Sequence, residues 1–241
     1  MTKHLQAPAV NVPRQERSRA SFERVLDAAV ELLKERGYEG FTLLEVSKRA
    51  RTSIGSIYCR VKGKEELFRA VQVYVLEDLT AEMESILDPV KWKDVPPSKL
   101  LNFLVRELGE YLRRHGPILR AFIANERGDA VIMRNGKQAH AHLAERFHAL
   151  LMQHASEFTH PDPAHATSFC FNLAFSAIAR HLDLDTVTPT NDGAQWNQLI
   201  DDLGRVLTLF LFSEEAFESR SKAGKVPVLK ARRASGSRSR R

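Results

Sequence analysis

The segment 42–64 constrains the fold of this chain more than any other part of the sequence. Thr42 and Glu45 form a T-x-x-E capping box, which predicts a helix beginning at Leu43. A three-residue interruption follows and ends in Ser53, a suitable N-cap for a second helix. Two short helices joined by such a turn form a helix-turn-helix, whose second helix can enter the DNA major groove.

The second helix combines an apolar side with a side rich in small and polar residues. The apolar side, at spacings i, i+3, i+4 and i+7, comprises Ile54, Ile57, Tyr58 and Val61. The other side comprises Ser53, Gly55, Ser56, Cys59 and Arg60. Glycine in mid-helix costs about 1 kcal/mol relative to alanine. Gly55 therefore indicates either a close approach of the backbone to a groove or a tight packing contact inside the protein, and the sequence leaves both open.

Amphipathic helices are also predicted on both sides of this unit. The preceding apolar stripe contains Val25, Leu26, Ala29, Leu32 and Leu33, and Gly37 follows as a C-cap. Lys64 opens a further helix, which Asp88-Pro89 ends.

These residues resemble the signature of TetR-type transcriptional regulators over about residues 17–70. The first part of the match comprises Val25-Leu26, Ala28-Ala29, Leu32-Leu33, Arg36-Gly37-Tyr38 and Phe41-Thr42. The second comprises Ser53, Gly55, Ser56-Ile57-Tyr58, Lys62, Lys64 and Glu66-Leu67. The resemblance implies an all-α fold, in which a three-helix DNA-binding domain precedes a helical domain for ligand binding and dimerisation.

The resemblance also implies roles for single residues. Phosphate contacts are expected from Thr42, Tyr58 and Lys64, and base-edge contacts from Ser53, Ile54, Gly55 and Ser56. Arg60 stands where the family usually has an aromatic residue or His, and we expect it to contact phosphate as well. Three departures concern Leu43 in place of a polar base-reading residue, Arg51 in place of a turn glycine, and Val61 in place of Phe. They leave the operator sequence open and predict a strained or reshaped turn at Arg51.

The charge of the chain is distributed unevenly, although its net value is only +6. Residues 14–69 carry a net charge of +4, residues 219–241 carry nine basic residues and no acid, and residues 70–218 carry −8. Because phosphate contacts dominate DNA affinity, this pattern favours end-on docking through the N-terminal domain. Residues 1–16 are interpreted as an arm along DNA or as a solvated leader. The basic tail 214–241 is interpreted as a DNA attractant or as a solubilising segment.

The remainder reads as helices, with no run of alternating β-type residues. We assign residues 17–63 to the DNA-binding domain and 64–213 to the regulatory domain. Pattern and punctuation predict helices over 99–114, 129–158, 164–182 and 192–212, with a break at His115-Gly116-Pro117.

The last two helices are apolar on two sides, so each should be buried on two sides. Two such helices from each of two chains would form a four-helix bundle, which predicts a homodimer; a monomer with a larger core is the alternative. The expected interface comprises Phe169, Leu173, Ala177, Trp196, Leu199, Leu203, Val206 and Phe210.

The other helices of the body are expected to enclose a pocket for a small, mostly hydrophobic effector. Its expected lining comprises Leu104, Glu107, Leu108, Arg120, Phe122, Met133, His140, Phe147, Phe171 and Phe175. Plain core packing is the alternative role for each of them.

We find no pattern that indicates catalysis, a cofactor or a resident metal. His140 and His142 diverge on a helix, and His181, Asp183 and Asp185 fit a helix end as well as a metal-dependent hydrolase. The two cysteines show no C-x-x-C spacing, which favours a reducing, cytoplasmic setting, and no apolar run predicts a membrane span.

The sequence therefore predicts a cytoplasmic regulator, a repressor that binds a palindromic double-stranded operator as a dimer and is released by a ligand. A constitutive DNA-binding co-regulator without a ligand is the second hypothesis.

Overall fold

The computed structural model describes residues 16–184 and 194–212, and this part of the chain is helical. Its α-helices are α1 (Glu16–Arg36), α2 (Leu43–Arg49), α3 (Ile54–Tyr58), α4 (Lys64–Ile86), α5 (Pro89–Trp92), α6 (Pro97–Asn125), α7 (Ala130–Met152), α8 (Pro163–His181) and α9 (Ala194–Phe212). A short 3₁₀ turn, Ala155–Glu157, follows α7. The described residues contain no strand, which confirms the all-α prediction.

Helices α1 to α3 form the N-terminal domain around the predicted apolar residues. Val25, Ala29 and Leu32 of α1 are buried, as is Val46 of α2. Gly37 ends α1 in the left-handed conformation, with φ of 65°, and its N–H donates to the carbonyl of Leu33 at 2.9 Å. The predicted C-cap is thus confirmed.

Helix α6 corrects one prediction, because it runs unbroken through His115-Gly116-Pro117. Proline inside a helix removes one hydrogen bond and clashes with the preceding turn, at a cost of about 3 kcal/mol. Gly116 has no Cβ, which relieves the clash that proline imposes on its predecessor. Residues on both sides of the proline, including Leu112 and Ile118, are buried in the core. Tertiary packing therefore maintains the helix where local sequence predicted a break.

The remaining differences concern helix ends. Helix α7 begins after the N-cap Asp129, as predicted, but ends at Met152 rather than near Phe158. The four-residue helix α5 was not predicted. Helix α9 is described from Ala194, so its expected start at 192 lies outside the described residues.

Helices α4, α6, α7 and α8 surround the interior of the body, and α9 packs along α6. Gly109 of α6 permits this close contact, since a Cβ at that position would lie 2.6 Å from Ile200 Cδ1 and about 3.1 Å from the Trp196 ring. Within the described ranges, no helix is long and apolar enough to cross a membrane.

Candidate DNA-binding surface and ligand cavity

The turn between α2 and α3 is held by side chains at both helix starts. The Thr42 hydroxyl accepts from Glu45 N at 3.3 Å, and the Ser53 hydroxyl accepts from Ser56 N at 3.2 Å, as predicted for the two N-caps. Sequence reasoning missed a third residue, the buried Ser47. Its hydroxyl donates to the Thr52 carbonyl at 2.7 Å, and its carbonyl accepts from Thr52 N at 3.1 Å.

Arg51 adopts a left-handed backbone conformation in this turn, with φ of 50°. A residue with a Cβ pays about 1–2 kcal/mol for this conformation, which glycine adopts freely. The predicted strain at the missing glycine is confirmed. The two hydrogen bonds between Ser47 and Thr52 bracket Arg51 and stabilise the strained turn.

Helix α3 is shorter than expected and presents an open outer face. Of its predicted apolar side, Ile57 and Val61 are buried, but Ile54 and Tyr58 are exposed. Ser53, Gly55 and Ser56 are exposed as well. A Cβ added to Gly55 would meet nothing within 4 Å, so no described part of the chain requires a glycine there. Among the described residues, this excludes the tight packing contact at Gly55.

The polar candidates differ in how available they are. The Tyr58 side chain is 54% exposed, and no described residue hydrogen-bonds its hydroxyl. Lys64 lies at the first turn of α4, with Nζ 4.1 Å from the centre of the Tyr38 ring. The half-buried Arg60 guanidinium lies 4.9 Å over the Phe22 ring of α1, so it packs against the domain.

Thr42 is also constrained by its neighbours. Its hydroxyl donates to Glu45 Oε2 at 3.0 Å, so the single hydroxyl proton is already engaged. This bond, followed by the bond from Arg36, lowers the pKa of Glu45. A phosphate contact through the Thr42 hydroxyl therefore requires this bond to rearrange.

The body contains a cavity of about 420 Å³ between α4, α6, α7 and α8. Its wall is predominantly apolar, with Leu76, Leu79 and Met83 contributed by α4. Of the ten residues predicted from sequence, Phe122, His140 and Phe175 lie on this wall. Sequence reasoning missed the contribution of α4, because an apolar stripe does not distinguish a cavity wall from a packed core.

The other seven predicted pocket residues lie away from the cavity. Leu104, Leu108, Phe147 and Phe171 are fully buried in the core. Glu107 and Met133 are half-buried, and Arg120 donates from Nη1 to the Leu182 carbonyl at 3.0 Å.

A chain of aromatic contacts runs from the cavity to the DNA-binding domain. The Phe122 ring, on the cavity wall, lies 5.5 Å from the Phe68 ring, which lies 4.7 Å from the Tyr38 ring in an edge-on arrangement. Tyr38 in turn carries the Lys64 ammonium over its face. Packed rings transmit displacement because interiors are close to crystal density.

His140 is a titratable residue of the cavity wall that lies among aromatic rings. Burial lowers the pKa of His140, which favours its neutral form. Its ring lies 5.5 Å from Phe171 and 4.5 Å from Phe175.

An exposed apolar patch covers adjoining faces of α8 and α9. Phe169 and Leu173 of α8 and Val206 of α9 are exposed, and the Phe169 and Phe210 rings lie 5.0 Å apart. Ala177, Leu199 and Leu203, half-buried, border the same patch. The patch also contains Leu209, 63% exposed, which sequence reasoning missed.

Trp196 corrects the expected interface. It is only 3% exposed, and its indole Nε1 donates to Glu110 Oε1 at 2.9 Å. The ring packs against Gly109 and under the Arg113 guanidinium, at 5.3 Å. Trp196 thus fixes α9 to α6 within one chain and is not available to a partner.

Among the described residues, no group of three or more His, Cys, Asp or Glu side chains is arranged to hold a metal. His181 ends α8, and Asp183 takes the left-handed conformation just after it, with φ of 50°. Asp185, residues 1–15 of the predicted arm and the predicted tail 214–241 lie outside the described residues.

Residues 25–71 match the family described as "Bacterial regulatory proteins, tetR family". A helix-turn-helix domain of this kind, joined to an all-helical body, defines a DNA-binding transcriptional regulator. This N-terminal part of the chain therefore resembles the DNA-binding domain of TetR-family transcriptional regulators.

Solved structures of low sequence identity share the fold of this chain. A putative TetR-family transcriptional regulator from Mesorhizobium loti MAFF303099 superposes with a TM-score of 0.67 at 18% identity, over 80% of this chain and 97% of that one. A transcriptional regulator (TerR/AcrR family) from Aquifex aeolicus VF5 gives 0.54 at 22% identity, over 79% and 99%. The fatty acid degradation regulator FadR from Bacillus halodurans gives 0.57 at 16% identity, over 78% and 94%. No curated protein sequence matches the chain closely enough to be reported as a relative.

Proposed function

We propose that this regulator is a ligand-released repressor that binds a palindromic operator as a dimer. The open outer face of α3 is the observation that supports recognition of the operator sequence. Ser53, Ile54 and Ser56 are exposed there, and Gly55 offers bare backbone with no neighbour within 4 Å of a Cβ. Small hydroxyl side chains and an uncovered helix backbone suit close contact with base edges in the major groove.

Phosphate contacts would hold this helix in register. Tyr58 and Lys64 flank the outer face, and neither is engaged in a salt bridge with a described residue. Because phosphates carry no sequence information, losing either contact should weaken binding to all sequences about equally.

The test is selection of bound DNA from a random pool, followed by affinity measurements on the selected site. We expect a palindrome with half-sites about one helical turn, ~34 Å, apart. Tyr58→Ala and Lys64→Ala should reduce affinity uniformly, whereas Ser56→Ala should alter the preference at particular base pairs. Lys99→Ala, an exposed lysine on α6, is the matched control. Unchanged binding by all three variants would show that α3 does not read DNA.

The dimer would form through the apolar patch of α8 and α9. Exposed apolar surface of this kind is stabilised by burial, at about 25 cal/mol per Å². Glutamate at Val206 or Leu209 should therefore produce monomers in sedimentation velocity runs at micromolar concentration. Val90→Glu, at a position 70% exposed on α5, controls for adding charge at an exposed valine. A wild-type protein that sediments as a monomer would contradict the proposal.

Ligand release would act through the aromatic contacts between the cavity and Lys64. A ligand that displaces Phe122 would shift Phe68 and Tyr38, and so move the start of α4 relative to DNA. Such coupling typically amounts to about 1–3 kcal/mol, or a 5- to 150-fold change in affinity.

The release experiment starts from small molecules extracted from purified protein and identified by mass spectrometry. Each is returned to a complex of the protein with fluorescent operator DNA, and anisotropy is followed. We expect at least one compound to lower the anisotropy. If none does, and none binds, the constitutive alternative is supported.

A further inference from the structure

The lining of the cavity extends along α4 and α7, which run side by side in the same direction. Three contacts establish this parallel arrangement in chain order: Arg69 with Asp129 at 2.7 Å, Gln72 with the Ile132 carbonyl at 2.9 Å, and Glu84 with His142 at 3.0 Å. On α4 the cavity wall extends from Gln72 to Leu87, which at 1.5 Å per residue corresponds to about 22 Å.

The cavity volume limits the number of atoms in a ligand of that length. At about 30 Å³ for each water-sized group, a cavity of 420 Å³ holds ~14 such groups. A ligand that occupies the whole length is therefore narrow, with roughly one group in cross-section. An unbranched alkyl chain fits this shape, whereas a fused-ring compound of equal volume would be too wide and too short.

At the end nearest the DNA-binding domain, the side-chain amide of Gln72 on the wall is satisfied within the protein. Gln72 donates to the Ile132 carbonyl and accepts from Asn135 Nδ2 at 3.2 Å. Midway along, the Thr80 hydroxyl donates to the Leu76 carbonyl at 2.7 Å. These groups have no need of a ligand, so this part of the cavity favours the apolar portion.

The opposite end contains an unsatisfied cation. Arg146, on the cavity wall, has its Nε buried without a hydrogen-bond partner among the described residues, and it forms no salt bridge with them. A buried donor on a charged group is unfavourable unless an acceptor meets it. The neighbouring carboxylate, Glu84, is already bonded to His142.

A second charge lies at the other end and has the opposite sign. Glu126 belongs to the turn that precedes α7, where its carbonyl accepts from Asp129 N at 3.4 Å. Arg146 lies 14 residues beyond Ile132 on α7, about 21 Å away along the helix. The ends of the cavity are thus distinguished electrostatically, and an anionic group is favoured at Arg146.

We infer that the cavity binds an unbranched amphiphile of about a dozen carbons, with its anionic head at Arg146 and its chain directed towards Gln72. This inference rests on the proposed function only where it identifies the ligand as the effector that releases DNA. Binding of the ligand itself does not depend on DNA. A carboxylate and a phosphate head share the required chemistry, and either can accept from a guanidinium nitrogen.

The test measures binding to the full chain by isothermal titration calorimetry, with probes of one chain length and different heads. Dodecanoate and dodecyl phosphate carry an anion, dodecanol is neutral and dodecylamine is cationic, all used below their aggregation concentrations. We expect the preferred anion to bind at least about tenfold more tightly than dodecanol, because hydrogen bonds to charged groups are the strong ones. Dodecylamine should be the weakest probe. The stronger of the two anionic probes identifies the head group.

Arg146→Met removes the charge and retains an unbranched apolar stem. In this variant the anion and dodecanol should bind within about twofold of each other. Lys137→Met, the other cation on the wall and an exposed one, should retain the preference. Ala179→Phe fills the cavity from α8 and should weaken every probe. Thermal unfolding of each variant shows whether the fold persists.

The inference is overturned if dodecanol binds wild type as tightly as the anions, if Arg146→Met retains the preference, or if no probe binds. Failure of the proposed function looks different. In that case the anion binds with the expected dependence on Arg146, yet operator DNA is not released, or is not bound at all.

Discussion

Substituting Gly55 with alanine should strengthen the fold while weakening DNA binding. Gly55 is helical with no neighbour within 4 Å of an added Cβ, so the methyl group meets no steric resistance in the described structure. Alanine in a helix interior is favoured over glycine by about 1 kcal/mol. Because α3 has only five residues, we expect a gain of about 0.5 kcal/mol in the free energy of unfolding.

The same methyl group would project from the face that we assign to the groove. If the helix backbone approaches base edges closely, the added Cβ must displace α3 outward and lengthen contacts on both sides. Losing the geometry of one bidentate base contact costs about 1–3 kcal/mol, which is a 5- to 150-fold loss of affinity. Stability and affinity should therefore change in opposite directions.

Urea unfolding and fluorescence anisotropy with the selected operator measure the two quantities. Gly136→Ala is the matched control: Gly136 also lies in a helix with nothing within 4 Å of an added Cβ, but it is in α7, on the cavity wall. In ligand-free protein, it should raise stability by about 1 kcal/mol and leave DNA affinity unchanged. If the Gly55→Ala variant binds DNA as tightly as wild type, the groove interpretation is refuted. If the variant is less stable than wild type, the space around Gly55 is not open.

Three further predictions concern other local features. Arg51→Gly should stabilise the fold by about 0.5–1 kcal/mol in calorimetry, because release of left-handed strain exceeds the extra entropy that glycine loses on folding; a lower melting temperature would contradict this. For Asp129, burial alone would raise the pKa, but hydrogen bonds from Arg69 and the backbone lower it overall. Asp129→Ala should cost about 1–2 kcal/mol near neutral pH, and this difference should shrink as pH falls from the ordinary carboxyl pKa of 3.8 through the lowered pKa of folded Asp129; a constant difference across that range would refute the reasoning. Burial raises the pKa of Cys170 to about 12, whereas Cys59 is exposed beside α3, so a thiol reagent should modify Cys59 alone and operator DNA should protect it.

The DNA-binding domain was predictable because its signals are local. Capping residues such as Thr42 and Ser53 act within three residues of the helix that they begin, and Gly37 acts at its own position. The same locality explains what was missed. Ser47 stabilises the turn through two hydrogen bonds to Thr52. No residue pattern in the sequence predicts that a buried serine will take this role.

The body was harder to predict because its determinants are distant in sequence. Pro117 was interpreted as a helix end on local grounds, but residues remote from it maintain α6. Trp196 was assigned to a partner surface, although its position is fixed by Gly109 and Glu110, almost ninety residues earlier. Apolar periodicity specifies that a side chain is buried and does not specify what buries it.

The same distinction explains why Arg146 could not be identified from the sequence. On a helix it resembles any solvated arginine, and its importance appears only when α4 and α7 are seen to run in parallel. Glu84 and His142 then pair with each other, and Arg146 lies one turn beyond with a buried, unsatisfied Nε. Phe122, on the same cavity, begins the aromatic contacts that lead to Lys64. A ligand that satisfies Arg146 and fills the cavity would therefore act on the DNA-binding domain through packing contacts alone. No polar connection between the two sites is required.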